Sequence, residues 1–428
     1  MIRISPETSM IYENVSIRVE KLTPFRTYRI ELRLLHKVGT YRSFGVFKTN
    51  VSGSINLNDS VPLRGTYSGV NERGLFESIE STESVRFGGY CNCTPPVDFN
   101  YQLIVFDNSG NKVCEKKFSR HLMNPLVERI EVEQLFPADD TTERPMVTGT
   151  MFKPPGNGPF PTIIDISGSG GGLNEQKGAA LASQGFATFC LAFFQFKNLP
   201  ENLASVELEY FKNAINYVIS LPYTSNRIGF QGVSFGGSLV MFLATKFPAI
   251  KAVCSINGSW SLDEYTYIKV DGKRPPVGIF PKDGQKMYFL NELMVYADMC
   301  KHLTLEKGAG FDFQDSQTDT AFRFVTAMDD LSTPTVYATN RLSNQLRDLG
   351  RTVDVHLLPG GHLLDPPCFP HHPLVWSKFA GLFQTYGGET SLHGKSEFDA
   401  WEGTVKFFSD HLGAPTPLPD YLRHSAKL

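Results

Sequence analysis

Hydrophobic and polar positions alternate through the first third of the chain. Val15-Ser16-Ile17-Arg18-Val19 switches at every residue, and Tyr28-Arg29-Ile30-Glu31-Leu32-Arg33-Leu34 repeats the rhythm. A period of two predicts strands that bury one face and wet the other. Residues 41–48 and 101–106 continue the pattern. Asn108-Ser109-Gly110-Asn111 separates the latter from residues 112–118, which predicts a hairpin turn. Short alternating strands with turn signals between them predict an all-β sandwich over residues 1–140.

Beyond residue 145 the pattern changes. Pro161-Thr162-Ile163-Ile164-Asp165-Ile166 and Ala187-Thr188-Phe189-Cys190-Leu191-Ala192-Phe193 are continuous apolar runs. Such runs read as strands buried on both faces. A helix over 205–220 places Val206, Tyr210, Ile215 and Val218 near one side. Further strands fall at 227–231, 252–256, 321–328 and 353–358, with a helix at 335–349. Strands alternating with helices predict a mostly parallel sheet with helices on both faces over residues 141–428. The irregular stretch 257–320 is the natural place for a lid.

Within this half, Gly232-Val233-Ser234-Phe235-Gly236 stands between an apolar strand and an apolar helix. Strand, sharp turn and helix with serine at the turn is the nucleophile elbow of an α/β hydrolase. The turn strains the serine backbone, and the flanking glycines leave room for neighbouring chain. A serine nucleophile needs a base, and the base needs an orienting carboxylate. In this fold the order along the chain is Ser, Asp, His. Asp329-Asp330 closes the strand ending at Met328, and His362 follows the strand ending at Leu358 in Pro359-Gly360-Gly361-His362. His356 falls mid-strand, His371 and His372 follow prolines, and His302 and His393 lack a strand-end setting. Pattern alone does not separate Asp329 from Asp330. Ser167-Gly168-Ser169-Gly170-Gly171-Gly172 follows the first buried strand. An N–H from Ser169 or Gly170 there could join that of Phe235 in an oxyanion hole. The loop lacks the Lys-Ser/Thr ending of a phosphate-binding loop.

Composition removes other classes. The chain has 428 residues, a formal net charge of -3 and 33 Phe. No basic surplus exists to neutralise phosphates, so nucleic acid is not an expected partner. No apolar stretch approaches the length of a membrane span, and the N-terminus lacks a signal-peptide core. Seven cysteines at irregular spacing suggest free thiols in a reducing compartment. No zinc-ligand spacing occurs.

The chain resembles the family of bile acid-CoA:amino acid N-acyltransferases and type I acyl-CoA thioesterases along nearly its whole length. The resemblance is carried by Gly149-Thr150-Met151-Phe152-Lys153-Pro154-Pro155, Gly170-Gly171-Gly172-Leu173, Leu208-Glu209-Tyr210-Phe211 and Ile256-Asn257-Gly258-Ser259. It continues in Pro275-Pro276-Val277-Gly278, Asp365-Pro366-Pro367, Gly387-Gly388-Glu389 and Asp399-Ala400-Trp401. Tyr67-Ser68-Gly69-Val70 is similar to the family's β-domain. The resemblance implies a catalytic set on Ser234, Asp330 and His362, with Asp329 as the weaker alternative. It implies an acyl-CoA substrate and no metal or organic cofactor. Phe235 stands where the family elbow often carries Lys. Acyltransferase members use cysteine as nucleophile and thioesterase members use serine, so Ser234 implies hydrolysis.

The chain is therefore expected to be an acyl-CoA thioesterase. The rival at the same site is an acyl-CoA:amino acid N-acyltransferase. A generic serine esterase or peptidase and a non-catalytic binding protein are the readings from other classes. Ala426-Lys427-Leu428 resembles the Ser-Lys-Leu address. It predicts a peroxisomal import receptor as partner and the peroxisome as location, with the cytoplasm as alternative.

Overall fold

The computed structural model describes residues 1–135, 145–282, 288–290, 292–377 and 381–419. The alternating segments of the first third form strands. Thr27–His36 pairs along its whole length with Gly39–Lys48. Asp98–Phe106 and Lys112–His121 form the expected hairpin. Its turn is held by the Asp107 carboxylate, which accepts the N–H groups of Ser109 and Asn111, each at 2.9 Å. These four strands, with Thr8–Met10, Arg64–Gly65 and Glu80–Ser81, make one sheet, and Ile2–Ser5, Ser16–Val19 and Ile55–Asn56 make another. Ile4, Ile17 and Val19 from the smaller sheet share a core with Ile30, Leu32 and Leu103 from the larger. Two layers around one apolar interior are a sandwich.

The second half is built on eight strands: β1 (Glu128–Leu135), β2 (Pro145–Lys153), β3 (Phe160–Ile166), β4 (Ala187–Ala192), β5 (Thr224–Val233), β6 (Ile250–Ile256), β7 (Ala321–Ala327) and β8 (Thr352–Leu358). Their spatial order is β1-β2-β4-β3-β5-β6-β7-β8. The β1–β2 and β2–β4 pairs are antiparallel, and every other pair is parallel. Among the described residues six helices accompany it: α1 (Gln176–Ala182), α2 (Leu208–Ser220), α3 (Phe235–Ala244), α4 (Ala297–Lys301), α5 (Thr335–Asp348) and α6 (Thr390–Leu412).

The continuous apolar runs are explained by two cores. Side chains alternate across a strand, so Ile163, Cys254 and Val325 join a core with α1 and α6. Their neighbours Ile164, Val253 and Phe324 join a second core with α2, α3 and α5. Both faces are covered, as a parallel sheet requires. This is the α/β-hydrolase fold.

The structure differs from the sequence pattern in three places. The alternating pattern places residues up to 140 in the sandwich, yet β1 is the edge strand of the large sheet, drawn there by its antiparallel register with β2. The change of sheet falls before Glu128, and residues 136–144 lie outside those described. The helix expected from 205 begins at Leu208. Leu203–Ser205 forms a separate 3-10 turn, and the Val206 carbonyl and Leu208 N–H bond the backbone of Lys269 instead. Finally, the stretch 257–320 is partly ordered into strands. Tyr288–Leu290 and Leu293–Val295 extend a small sheet with Leu382–Thr385 and Leu374–Ser377. Their three- and four-residue lengths leave no period to read.

Candidate active site

The site is assembled from loops at the carboxyl ends of β3, β5, β6, β7 and β8. Ser234 lies between β5 and α3 at φ 60°, ψ -126°, a backbone region that costs L-residues free energy. The glycines explain how the turn closes. A Cβ on Gly232 would stand 2.4 Å from the Gly236 carbonyl, and one on Gly236 would stand 2.4 Å from the Ser167 oxygen. Hydrogen bonds fix the turn from both sides: Ser234 N–H donates to Ile256 O at 2.9 Å, and Ser238 N–H donates to Ser234 O at 3.2 Å.

His362 and Asp330 arrive from β8 and β7. Ser234 Oγ lies 2.8 Å from His362 Nε2, and His362 Nδ1 lies 2.7 Å from Asp330 Oδ2. With the ring proton on Nδ1 facing the carboxylate, Nε2 accepts from the serine hydroxyl. The other Asp330 oxygen accepts the N–H groups of Ser332 and Thr333, each at 2.8 Å. That carboxylate is thus oriented before it meets the imidazole. Asp329 faces elsewhere: its Oδ2 accepts the N–H of Gly388 at 2.8 Å. The structure brings Ser234, His362 and Asp330 together and leaves Asp329 out of the chain.

The glycine-rich loop after β3 passes beside the serine. A Cβ on Gly168 would lie 3.1 Å from Ser234 Cβ. Gly171 N–H donates to Gly168 O, and Gly172 N–H donates to Phe194 O. Those two donors are taken, whereas a Cβ on Gly170 would meet open space. Phe235 is the first residue of α3, where backbone N–H groups lack helical acceptors. Its side chain is buried and approaches Phe193, 6.5 Å between ring centres.

Sequence reasoning missed the supports of the histidine. Asn257, at the end of β6, has φ 51° and is buried. Its Nδ2 donates to His362 O at 2.7 Å and to Gly361 O at 3.3 Å, while its Oδ1 accepts Ala327 N–H at 2.7 Å. One amide thereby ties the ends of β6 and β7 to the histidine loop. His393 Nδ1, on α6, accepts the N–H of Gly361 at 3.0 Å. Tyr386 O accepts the N–H of His362 at 2.9 Å, and its ring lies 4.8 Å from the imidazole. A polar residue closing an apolar strand, with glycine after it, was the available signal for Asn257.

The loop carrying His362 is not a free surface loop. The sandwich grips its continuation. Fully buried Arg120 reaches Cys368 Sγ at 3.0 Å, Phe99 packs on Phe369 with ring centres 4.9 Å apart, and Cys91 N–H donates to His372 Nε2 at 3.0 Å. Asp365 is buried between Lys177 at 2.8 Å and the Tyr90 hydroxyl at 2.5 Å; burial pushes its carboxyl up, and the Lys177 ammonium and the Tyr90 hydroxyl together outweigh that and hold it below the usual range. Burial pushes His372 down to about 4 and lowers His371 and His393 as well. The seven cysteines are free thiols.

Two family models match the sequence of the chain. The family described as "BAAT / Acyl-CoA thioester hydrolase C terminal" matches residues 206–414, and "Acyl-CoA thioester hydrolase/BAAT N-terminal region" matches residues 12–134. Acyl-coenzyme A thioesterase 3 of Mus musculus is 30% identical over 414 residues, covering 93% of this chain and 91% of its own. The chain belongs to the acyl-CoA thioester hydrolase/BAAT family. Acyl-coenzyme A thioesterase 1 of Mus musculus is 29% identical, with 94% of each chain covered. The peroxisomal succinyl-coenzyme A thioesterase of the same species is also 29% identical, again with 94% of each covered. A solved puromycin-hydrolyzing peptidase of Mycobacterium tuberculosis is 12% identical with a TM-score of 0.46, covering 94% of this chain and 66% of its own. Membership in the acyl-CoA thioester hydrolase/BAAT family makes the chain an enzyme.

Proposed function

We propose that the chain hydrolyses fatty acyl-CoA to free fatty acid and CoA through an acyl ester on Ser234. The observation that carries this reading is the unbroken relay Ser234–His362–Asp330, at 2.8 and 2.7 Å. The Ser234 oxygen attacks the thioester carbonyl carbon while His362 Nε2 takes the hydroxyl proton. Asp330 holds the imidazole tautomer and stabilises the imidazolium. The N–H of Phe235 and one from the Ser169–Gly170 stretch receive the oxyanion. Collapse breaks the C–S bond, and His362 gives its proton to the departing CoA sulfur. A water then loses a proton to His362 and attacks the acyl ester; collapse breaks the C–Oγ bond and frees the acid, and His362 returns the proton to Ser234 Oγ. The steps balance without a cofactor.

An oxygen ester is removed more naturally by activated water than by transfer to an amine, which favours hydrolysis over amino acid conjugation. Acyl-CoAs of graded chain length, assayed for free thiol with wild type beside Ser234→Ala, test the proposal. Thiol release is expected from wild type and to fall by at least 10³-fold in the variant. Full activity in Ser234→Ala overturns the mechanism, and conjugates formed with glycine or taurine overturn hydrolysis as the reaction.

A peroxisomal location is part of the same proposal. Its support is Ala426-Lys427-Leu428, which lies outside the described residues, and the similarity to the peroxisomal succinyl-coenzyme A thioesterase of Mus musculus. Cytoplasmic retention of the intact protein in cells would remove it.

A further inference from the structure

A second set of side chains lies on the Asp330 side of the site. Trp260 is buried, and its ring meets that of Tyr337 edge-on, 5.9 Å between centres and 81° between planes. Its indole N–H donates to Cys300 O at 3.2 Å. The Arg341 guanidinium lies over the Trp260 ring at 4.5 Å, and Lys301 Nζ lies 5.8 Å from the Tyr337 ring centre. Both cations are exposed. Asp298, the carboxylate nearest Lys301 along α4, is paired with His302 at 3.7 Å. Among the described residues neither Lys301 nor Arg341 has an ion-pair partner.

This cluster is joined to the catalytic loops by hydrogen bonds. Trp260 follows Ser259, whose N–H donates to Ser238 Oγ at 2.7 Å, one helical turn beyond Ser234. Tyr337 and Arg341 share a face of α5. The first residue of α5 is fixed to the end of β7 by Thr335 Oγ1 donating to Ala327 O at 2.7 Å. The N–H groups of Tyr296 and Ala297, which open α4, both reach the carbonyl of Leu331, the residue after Asp330.

We propose that Arg341 and Lys301 bind the phosphates of the CoA moiety, a placement that rests on the thioesterase reading above. A guanidinium laid face-on against indole keeps its in-plane N–H donors free. Those donors match phosphate oxygens in bidentate fashion, and the lysine adds a point charge beside them. A chain of net charge -3 offers a polyanion no general attraction, so a local pair of cations decides where it docks. The pantetheine arm separates thioester from phosphates. The docking point therefore belongs on the rim of the site; Trp260, under Arg341, follows the carboxyl end of β6, and the start of α4, which ends in Lys301, is bonded to Leu331 beside Asp330.

The test compares two substrates with the same acyl chain: the CoA thioester and the N-acetylcysteamine thioester, which ends before the phosphates. Both cations are exposed, so Arg341→Gln combined with Lys301→Gln is expected to fold. The double variant should raise KM for the CoA thioester roughly tenfold or more. It should shift KM for the short thioester less than twofold and weaken the rise of KM with salt. Arg341→Lys should recover only part of the loss, because an ammonium cannot fork. An unchanged KM for the CoA thioester, or an equal rise for both substrates, overturns the phosphate site and leaves the thioesterase reading standing. Wild type that cleaves the short thioester but no acyl-CoA overturns both.

Discussion

His362 Nδ1 meets Asp330 at 2.7 Å, while Asp329, one residue earlier, spends its carboxylate on the N–H of Gly388 at 2.8 Å. Adjacent residues at a strand end point in different directions, so only one of the pair can serve the histidine. Asp330→Asn is expected to lower kcat by about 10³–10⁴-fold, as losing the tautomer-setting carboxylate does in other serine hydrolases. Asp329→Asn keeps an acceptor for Gly388 and should stay within about threefold of wild type. Steady-state thiol release from both variants checks this, and equal losses would contradict the assignment.

The elbow depends on the absence of a side chain at Gly236. A methyl there meets the Ser167 carbonyl oxygen at 2.4 Å, and backbone on both sides cannot move aside cheaply. Gly236→Ala should cost about 3 kcal/mol or more. At Gly170 a methyl meets nothing within 4 Å, so Gly170→Ala should unfold within about 1 kcal/mol of wild type. Urea unfolding of the two variants measures the contrast.

Asn257 acts on the reaction through the backbone of the histidine loop and is a positioning residue. Asn257→Gly accepts the positive φ but releases Ala327 N–H and the carbonyls of Gly361 and His362. We expect kcat to fall roughly ten- to a hundredfold, KM to move less than twofold, and stability to drop by about 1–3 kcal/mol. A change in KM alone would contradict a role in placing His362.

Burial holds His372 neutral, with its titration pushed from 6.5 to about 4. Asp365 opposes that shift, while His371 and His36 add to it. The unfolded chain takes the proton near pH 6.5 and the folded chain refuses it until about pH 4. This contribution to stability is therefore complete above pH 6.5 and is lost as pH falls through that window. Asp165, raised by burial to about 6, works in the opposite sense, losing stability as pH rises from 3.8 to 6. The difference between wild type and His372→Gln isolates the histidine. Urea unfolding at pH 7 and pH 5 should show the wild type losing on the order of 2 kcal/mol more than the variant.

The sequence by itself determined the larger frame. Periods of two and runs buried on both faces are local consequences of strand geometry, so the five longer alternating segments of the sandwich and β3 to β8 could be read directly. The elbow was legible because its glycines and serine are consecutive, and His362 because it follows a strand end. Tertiary structure decided what depends on direction and on distant partners. Asp329 and Asp330 are chemically identical neighbours, and only the fold shows which carboxylate turns toward the imidazole. Asn257 gains its role from Ala327 and His362, which the chain brings to it from 70 and 105 residues away. The grip of Arg120 on Cys368 spans 248 residues. Such contacts leave no local period, because they arise only when buried polar groups must find partners in the packed interior.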